Sequence, residues 1–222
     1  MYKIIYEDEQ LIAVDKLSPM PCIRLADSAG LSDELLLEFP FLNDIPDFGF
    51  THRLDNETLG AILIAKTPAV YTAIRECFGL KQIKKTYNAR VCGNVEEESG
   101  CIDLPIAHSS KSAKKMVVVK DGYRIYRSEA RPAVTRWKVL TKHTSTSDLE
   151  LATDTGVRHQ IRVHLSSLGH PICGDRLYSK DFLNYPSLML ISKTIEFFHP
   201  VTKKEIVIKS NVELDSMFRE FF

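Results

Sequence analysis

The order of strand-like and helix-like segments is the feature that most constrains the fold of this chain. Segments that alternate polar and apolar residues, or that are continuously apolar and short, predict strands. These strands are expected at 3–6, 11–15, 60–66, 86–92, 116–120, 134–140, 149–153, 194–198 and 205–209. Because helices do not alternate regularly with them, the pattern favours an α+β fold with a largely antiparallel sheet over a doubly wound fold.

Capping residues mark the predicted helices. The helices are expected at 31–39, at 68–79, at 157–168 and at a terminal segment that closes with Phe222. Ser32 and Thr67 are the expected N-caps, and Pro68 suits a first helical position. Gly79 and Gly169 are suited to ending the second and third helices.

Composition indicates an ordinary globular protein. Of the 222 residues, 44% are hydrophobic and 26% are charged, and the formal net charge is zero. This balance excludes a disordered tail, a collagen-like chain and a coiled coil. The longest apolar run, 60–65, is far shorter than the ~18 residues of a membrane span. The start of the chain is acidic, unlike a signal peptide, so we expect a cytoplasmic protein.

Cysteine usage and length add further expectations. There are five cysteines, an odd number with no Cys-x-x-Cys spacing. They favour buried free thiols over a disulfide framework or a zinc knuckle. The length fits one large domain or two intimate subdomains. No feature of the sequence demands a dimer, so we expect a monomer.

Charge is balanced in total but not along the chain. Residues 1–50 hold 3 Lys and Arg against 10 Asp and Glu, whereas residues 108–143 hold 10 against 2. We call residues 108–143 the basic block; Tyr123, Tyr126 and Trp137 are interleaved with its cations. Such a stretch either binds the phosphates of a polyanion or forms a solvated hairpin face, and charge alone does not decide between them.

Two motifs contain residues suited to catalysis or binding, each with a structural alternative. Segment 51–60 places Arg53 and Asp55 in a loop before a core strand, which would support a carboxylate rigidly. Most Arg-x-Asp triplets, however, are surface ion pairs. In segment 84–93, Tyr87 lies on an alternating strand and so is usually a core residue, although its ring and hydroxyl could also serve a bound base.

The third motif, segment 155–178, concentrates cations and histidines. On the predicted helix, Arg158 and Arg162 are four residues apart and would share one face, where they could hold a carboxylate ionised or grip phosphates. Its three histidines lack the i, i+4 spacing of a helical zinc pair, and no Cys or carboxylate completes a ligand set, so structural histidines are favoured over a metal. The chain also lacks a Gly-x-Gly-x-x-Gly motif and a Walker A loop, so no nucleotide cofactor is expected.

Taken together and in order, these motifs resemble the RluA-type family of RNA pseudouridine synthases. The family pattern His-Arg-Leu-Asp-x-x-Thr-Ser-Gly is similar to 52–60, and Lys-x-Tyr-x-Ala-x-Val-x-Gly is similar to 85–93. Gly-Arg-Thr-His-Gln-Ile-Arg-x-His-Leu, followed by Gly-His-Pro-Ile-x-Gly-Asp-x-x-Tyr, is similar to 156–178. Weaker similarity extends from the opening strands to the Phe-x-His-Pro-x-Thr pattern at 197–202, so the resemblance covers nearly the whole chain.

The resemblance implies an activity and the residues that perform it. A uridine in ribosomal or transfer RNA would become pseudouridine, a change without oxidation or reduction that requires no cofactor. Asp55 would be the catalytic carboxylate, acting as nucleophile or base, and Arg162 the cation that keeps it ionised. Tyr87 would lie against the target base and assist the removal of its proton.

The resemblance also implies substrate contacts and a fold. The substrate-binding residues would be His52, Arg53, Lys85 and Arg158, with Arg53 filling the space that the flipped uridine leaves. The fold would be one catalytic domain over 1–222, with a bent, mainly antiparallel mixed sheet, flanking helices and a central active-site cleft. An additional S4 RNA-binding domain is not expected, so the basic block is the expected RNA surface.

Several positions depart from the family patterns. Leu59 stands where the family has Ser, Val157 and Arg158 replace its Arg-Thr pair, and 16–19 and 190–192 differ from its Lys-Pro-x-Gly and Leu-His-Ala. They affect RNA contacts and substrate choice more than the reaction itself.

Two other functions stay open at this point. A catalytically silent RNA-binding or RNA-folding protein on the same fold is compatible with the altered motif edges. A glycoside hydrolase is disfavoured, because no second catalytic carboxylate lies near Asp55 in the sequence.

Overall fold

The computed structural model describes residues 2–17, 19–120 and 126–219, and its contacts divide the chain into two units. The first comprises Met1–Lys85 and Ile191–Glu213, and the second comprises Thr86–Leu190 and Leu214–Phe222. The expected single catalytic domain therefore stays a prediction. Two residues named above, Tyr123 and Phe222, lie outside the described residues, as does Arg124 of the basic block.

Strands outnumber helices throughout the described residues, as the sequence predicts. The strands are β1 (Tyr2–Glu7), β2 (Leu11–Lys16), β3 (Leu59–Ala65), β4 (Lys84–Cys92), β5 (Ser99–Asp103), β6 (Ile106–His108), β7 (Met116–Val118), β8 (Val134–Lys142), β9 (Thr146–Thr153), β10 (Leu190–Phe198) and β11 (Glu205–Lys209). The helices are α1 (Leu31–Glu38), α2 (Pro68–Gly79), α3 (Gln160–Ser167) and α4 (Ser216–Arg219). Short 3₁₀ turns cover Pro40–Asp44, Pro46–Gly49 and Phe182–Asn184.

A sheet in the order β1-β2-β3-β10-β11 forms the first unit. Its neighbouring strands are antiparallel except β3 and β10, which run parallel. β2 and β3 are continuously apolar over most of their length and are buried, as expected for strands covered on both faces. Helix α2 contributes Val70 and Ile74 to a core that also contains Leu63 and Phe197.

The two long helices of the first unit begin differently from one another. Thr67 accepts a hydrogen bond from the backbone N–H three residues later, which confirms it as the N-cap of α2. The predicted N-cap of α1, Ser32, is wrong: the cap is Gly30, whose N–H donates to the Asp33 carboxylate at 2.8 Å. Ser32 lies within the first turn, where its hydroxyl accepts from the backbone N–H of Arg24.

The second unit contains a fully antiparallel sheet in the order β4-β9-β8-β5 and a separate β6-β7 hairpin. Beside α3, an apolar cluster unites Ile106, Met116, Ala133 and Val163 with Val157. Strands β5 and β6 were not predicted from the sequence. In β5 only Ile102 is buried, and β6 is three residues long, so neither has a strong alternating pattern.

The described part of the chain contains no helix that is long and apolar enough to cross a membrane. It contains no group of three or more His, Cys, Asp or Glu side chains placed to hold a metal ion.

Candidate active site

The Asp55 loop, which we define as residues 51–58, leads directly into the buried strand β3. The Thr51 hydroxyl donates to the carbonyl of Leu63 at 2.8 Å, and the backbone N–H of Thr58 donates to the carbonyl of Asp55 at 3.0 Å. Asp55 is half-buried and Arg53 is exposed. The loop is therefore fixed to a core strand while a carboxylate and a guanidinium remain accessible from it.

His52, predicted to contact substrate, is a buried residue of this loop. The backbone N–H of Leu63 donates to its Nε2 at 3.1 Å, and its ring centroid lies 5.2 Å from that of Phe78. Burial, with help from the positive charges of Lys85 and Arg75, lowers the pKa of His52 to about 3. The ring is therefore neutral, and its surroundings favour a role in anchoring the loop over a contact with RNA.

Two buried side chains from the N-terminal segment hold the main chain on either side of Asp55. The Lys16 ammonium donates to the carbonyl of Asn56 at 2.7 Å. The backbone N–H of Leu54 donates to the Cys22 sulfur at 3.3 Å, and the Cys22 thiol lies 3.5 Å from the Leu54 carbonyl. Residues 54 and 56 are thus each tied down, which fixes the backbone of Asp55 between them.

Lys16 is fully buried. Desolvation lowers its pKa to about 8, whereas the nearby negative groups, including Asp55 and Glu57, raise it. No role for Lys16 was predicted from the sequence. The available signal was its position at the end of β2, directly after Asp15, because lysine is almost never fully buried without partners.

Gly60 is the second residue of β3, just after the Asp55 loop, and the structure leaves no room for a side chain there. Its φ is +97°, and a Cβ atom there would lie 2.4 Å from the carbonyl oxygen of Ser192 on the parallel neighbour β10. The preceding Leu59, the departure from the family's Ser, pairs with Ile191. Gly60 is thus a scaffold residue that lets β3 approach β10 closely.

In the second unit, Arg162 is gripped by a buried carboxylate. It lies on α3 and is 2% exposed; its Nε and Nη2 each donate to one oxygen of Asp175 at 2.8 Å. Asp175 is fully buried and also accepts from the backbone N–H groups of Leu177 and Tyr178. This two-pronged pairing fixes both the position and the orientation of the guanidinium.

Tyr178 joins α3 to the β6-β7 hairpin. Its hydroxyl accepts from the backbone N–H of Met116 at 2.8 Å and lies 3.0 Å from Nδ1 of His159. The Arg162 guanidinium lies 5.6 Å from the centre of its ring, and the Lys115 ammonium lies 5.9 Å from it. The Tyr178 ring is therefore close to both a fixed cation on α3 and an exposed cation of the hairpin.

Tyr87 lies on β4, opposite Leu151 of β9, and is 9% exposed. That is the environment of a tyrosine that either fills a core or presents its hydroxyl to a ligand.

Arg158 does not share a helical face with Arg162, and this part of the sequence prediction is wrong. Helix α3 begins at Gln160, after His159 with a left-handed φ of 54°. Val157 is buried in the apolar cluster, and the Gln160 side chain accepts from its backbone N–H. Burial of Val157 and this side-chain bond hold 157–159 out of the helix, so Arg158 is exposed on a loop while Arg162 is buried.

The structure thus distributes the predicted residues over the two units. In the first it brings together His52, Arg53, Asp55 and, at the start of β4, Lys85, whose ammonium lies 5.4 Å from the Phe78 ring. In the second it places Tyr87, Arg158 and Arg162. The additional residues that hold them, for which no part in substrate binding or catalysis was predicted from the sequence, are Lys16, Cys22, Asp175 and Tyr178.

Comparison with solved structures shows which fold these units form. The chain is similar to Human RNA Pseudouridylate Synthase Domain Containing 1, with a TM-score of 0.80, 25% identity and coverage of 96% of this chain and 84% of that one. It is also similar to Human RNA Pseudouridylate Synthase Domain Containing 4, with a TM-score of 0.76 and 24% identity over 95% and 88% of the two chains. The predicted α+β pseudouridine synthase fold is confirmed.

Comparison of sequences gives the family. The chain is 35% identical to Ribosomal large subunit pseudouridine synthase D of Nitrosomonas europaea over 80% of its own length, but it spans only 50% of that protein. It is 33% identical to Dual-specificity RNA pseudouridine synthase RluA of Vibrio parahaemolyticus, over 89% of this chain and 78% of that protein. The RNA pseudouridylate synthase family matches residues 10–167, which include Asp55, Tyr87 and Arg162. The chain belongs to the RNA pseudouridylate synthase family.

Proposed function

We propose that this chain converts uridine in ribosomal or transfer RNA to pseudouridine, with Asp55 as the catalytic carboxylate. The observation that carries the proposal is the Asp55 loop. It holds a half-buried carboxylate on a backbone fixed on both sides, within the stretch that matches the family. A carboxylate held in this way is suited to act repeatedly on one position of a substrate.

The reaction is a rearrangement within one nucleotide. The bond between N1 of uracil and C1′ of ribose breaks, the base turns, and C5 bonds to C1′. The proton on C5 is released, and N1 takes up a proton, so atoms and charge balance without a cofactor. Asp55 serves as nucleophile or base towards the sugar or the base, a role for which it must be ionised.

Arg162 and Tyr87 complete the proposed catalytic set. Arg162 supplies the positive charge that keeps a carboxylate ionised in a desolvated site, and its pairing with Asp175 fixes that charge. Tyr87 stacks against the uracil and assists removal of the C5 proton through its hydroxyl. The uridine must first leave its stack, which costs a few kcal/mol, and exposed Arg53 takes its place in the RNA.

RNA recognition is assigned to the basic block. Lys111, Lys114 and Lys115 are all exposed on the connection between β6 and β7, and Arg127 and Arg131 are exposed after it. Exposed cations on a hairpin bind phosphates without reading sequence and place the RNA relative to the catalytic groups.

Release of tritium from RNA labelled at uridine C5 tests the proposal. Purified chain would be incubated with unmodified total ribosomal and transfer RNA, as wild type, as Asp55→Asn and as Asp44→Asn, which changes an exposed carboxylate of the same unit. We expect wild type and Asp44→Asn to release tritium, and Asp55→Asn to be about a thousandfold slower. If wild type binds RNA yet releases no tritium, the chain is an RNA-binding protein without this activity.

A further inference from the structure

Two cysteines that have no role in the proposed reaction stand side by side in the second unit. The sulfurs of Cys92 and Cys173 are 3.5 Å apart. Cys92 ends β4 and its N–H donates to the carbonyl of Pro171, while the N–H of Cys173 donates to the carbonyl of Arg90, both at 2.9 Å. These backbone hydrogen bonds between the two segments therefore hold the two thiols close together.

The pair is asymmetric in exposure and acidity. Cys173 is fully buried and Cys92 is half-buried, with the Ser179 hydroxyl 3.9 Å from its sulfur. The hydrogen bond from the Cys173 thiol lowers the pKa of Cys92 to about 7, whereas the same bond and burial raise the pKa of Cys173. Cys92 is thus the thiol that solvent reaches and that ionises first, which are the two properties of a reactive cysteine.

We propose that Cys92 and Cys173 form an oxidation site, at which a peroxide converts the two thiols into an intrachain disulfide that displaces Asp175. The effect on RNA turnover rests on the proposed function, but formation of the disulfide does not. The family patterns leave both positions open, so the pair is a property of this chain rather than a requirement of its fold.

The chemistry balances with one peroxide for each pair. The Cys92 thiolate attacks one oxygen of hydrogen peroxide, the O–O bond breaks, and the departing hydroxide takes up the proton that Cys92 released and becomes water. The sulfur of Cys173 then attacks the Cys92 sulfenic acid, so the S–S bond forms and the S–O bond breaks. The second hydroxide leaves as water with the proton of Cys173. The two sulfurs are oxidised by two electrons in total, and the peroxide is reduced.

Disulfide formation would move the segment that positions Arg162. A disulfide bond is about 2.05 Å long, so the sulfurs must approach by about 1.5 Å. Cys173 is separated from Asp175 only by Gly174, whose φ is 76° and where a Cβ atom would lie 1.8 Å from the carbonyl of Ser187. A segment packed this closely cannot absorb the movement locally, so Asp175 shifts and Arg162 loses its two-pronged grip.

The other cysteines supply an internal control. Cys22 is buried against the Asp55 loop and Cys77 lies on α2, both in the first unit, whereas Cys101 is exposed on β5. Among the described residues Cys101 has no thiol neighbour. If exposure alone decided which thiol is oxidised, it would be Cys101. If the distance between two sulfurs decides, oxidation occurs at the pair of Cys92 and Cys173.

Peptide mapping after mild oxidation tests the site directly. The full chain, carrying Cys101→Ser, would be treated with hydrogen peroxide, its remaining thiols blocked, and the product digested with trypsin. Cys92 then lies alone in peptide 91–111 and Cys173 in peptide 163–176, so a cross-linked peptide identifies the bond without ambiguity. We expect this bond in most molecules, and its loss in Cys92→Ser and in Cys173→Ser. Over-oxidation of Cys92 with Cys173 still a thiol would overturn the proposal.

Two further measurements test the displacement. Hydrogen–deuterium exchange over 158–178 should rise in the oxidised chain, and tritium release from RNA should fall at least about tenfold and return with dithiothreitol. Cys92→Ser should keep its activity in peroxide. A disulfide with unchanged exchange and turnover would overturn the displacement. If the reduced chain never releases tritium while the disulfide forms and exchange rises, the proposed function fails and the oxidation site stands.

Discussion

Asp55 and Arg162, the two charged groups at the centre of the proposed reaction, are held in opposite ways. Asp55 is half-buried, and its support reaches it through the main chain of its neighbours, from Lys16 and Cys22. Arg162 is buried, and its own side chain is gripped by Asp175. The carboxylate that must reach the substrate is positioned through the main chain, which leaves its oxygens available. The guanidinium that supplies a constant charge is held by hydrogen bonds from its own nitrogens.

The largest effect is expected from breaking the grip on Arg162. Asp175→Asn removes a buried charge pair and should lower the free energy of unfolding by about 3–5 kcal/mol. Asp154→Asn is the matched control, because Asp154 also pairs with an arginine, Arg136, but on the surface, and this substitution should change the free energy of unfolding far less. Urea denaturation of both variants measures the difference. Equal losses would mean that Asp175 does not anchor the site.

A second substitution separates the charge of Arg162 from its shape. Lysine keeps the charge but cannot make the two parallel bonds to Asp175, so Arg162→Lys should slow tritium release about a hundredfold at saturating RNA. Arg158→Lys, on the exposed loop, should change the turnover number less than about threefold and act on RNA affinity instead. An inactive Arg158→Lys would show that the loop arginine, despite its exposure, belongs to the catalytic set.

The support that Lys16 gives to the Asp55 loop predicts a pH dependence of the free energy of unfolding. Burial lowers the pKa of Lys16 from its ordinary 10.5 to about 8, so between these values the unfolded chain binds more protons than the folded one. The free energy of unfolding of wild type, relative to Lys16→Met, should therefore rise with pH above about 8, by up to about 1.4 kcal/mol per pH unit. Below that pH both states are protonated at Lys16, and the difference should be flat.

Denaturant titrations from pH 7 to pH 10 measure this difference. Lys3→Met, which removes an exposed amine from β1, is the control. The difference in free energy of unfolding between wild type and Lys3→Met should not rise with pH. A Lys16→Met difference that stayed flat above pH 8 would mean that Lys16 is solvated rather than buried, and that it does not clamp the Asp55 loop.

Local sequence rules predicted some parts of this architecture and failed at others for identifiable reasons. The cap at Thr67 and the strand β3 follow from neighbouring residues, and the structure confirms them. The helical spacing of Arg158 and Arg162 failed because the burial of Val157, a tertiary effect, overrides periodicity. The ties to the Asp55 loop join residues that are 32 and 40 positions apart, and no local pattern reports contacts of that range.

The charge asymmetry between the two regions gives the smallest and last expected effect. Residues 1–50, in the first unit, carry an excess of carboxylates, while the exposed lysines of the basic block belong to the second unit. Replacing Lys111, Lys114 and Lys115 by alanine should weaken RNA binding and reduce the slope of log affinity against log salt by about one for each phosphate that is no longer neutralised. Alanine at Lys3, Lys204 and Lys209, exposed lysines of the first unit, removes the same charge and should leave the slope nearly unchanged. Filter binding of ribosomal RNA across a salt series compares the two triple variants. Equal slopes would show that RNA responds only to net charge, and that the hairpin is a solvated face rather than a binding surface.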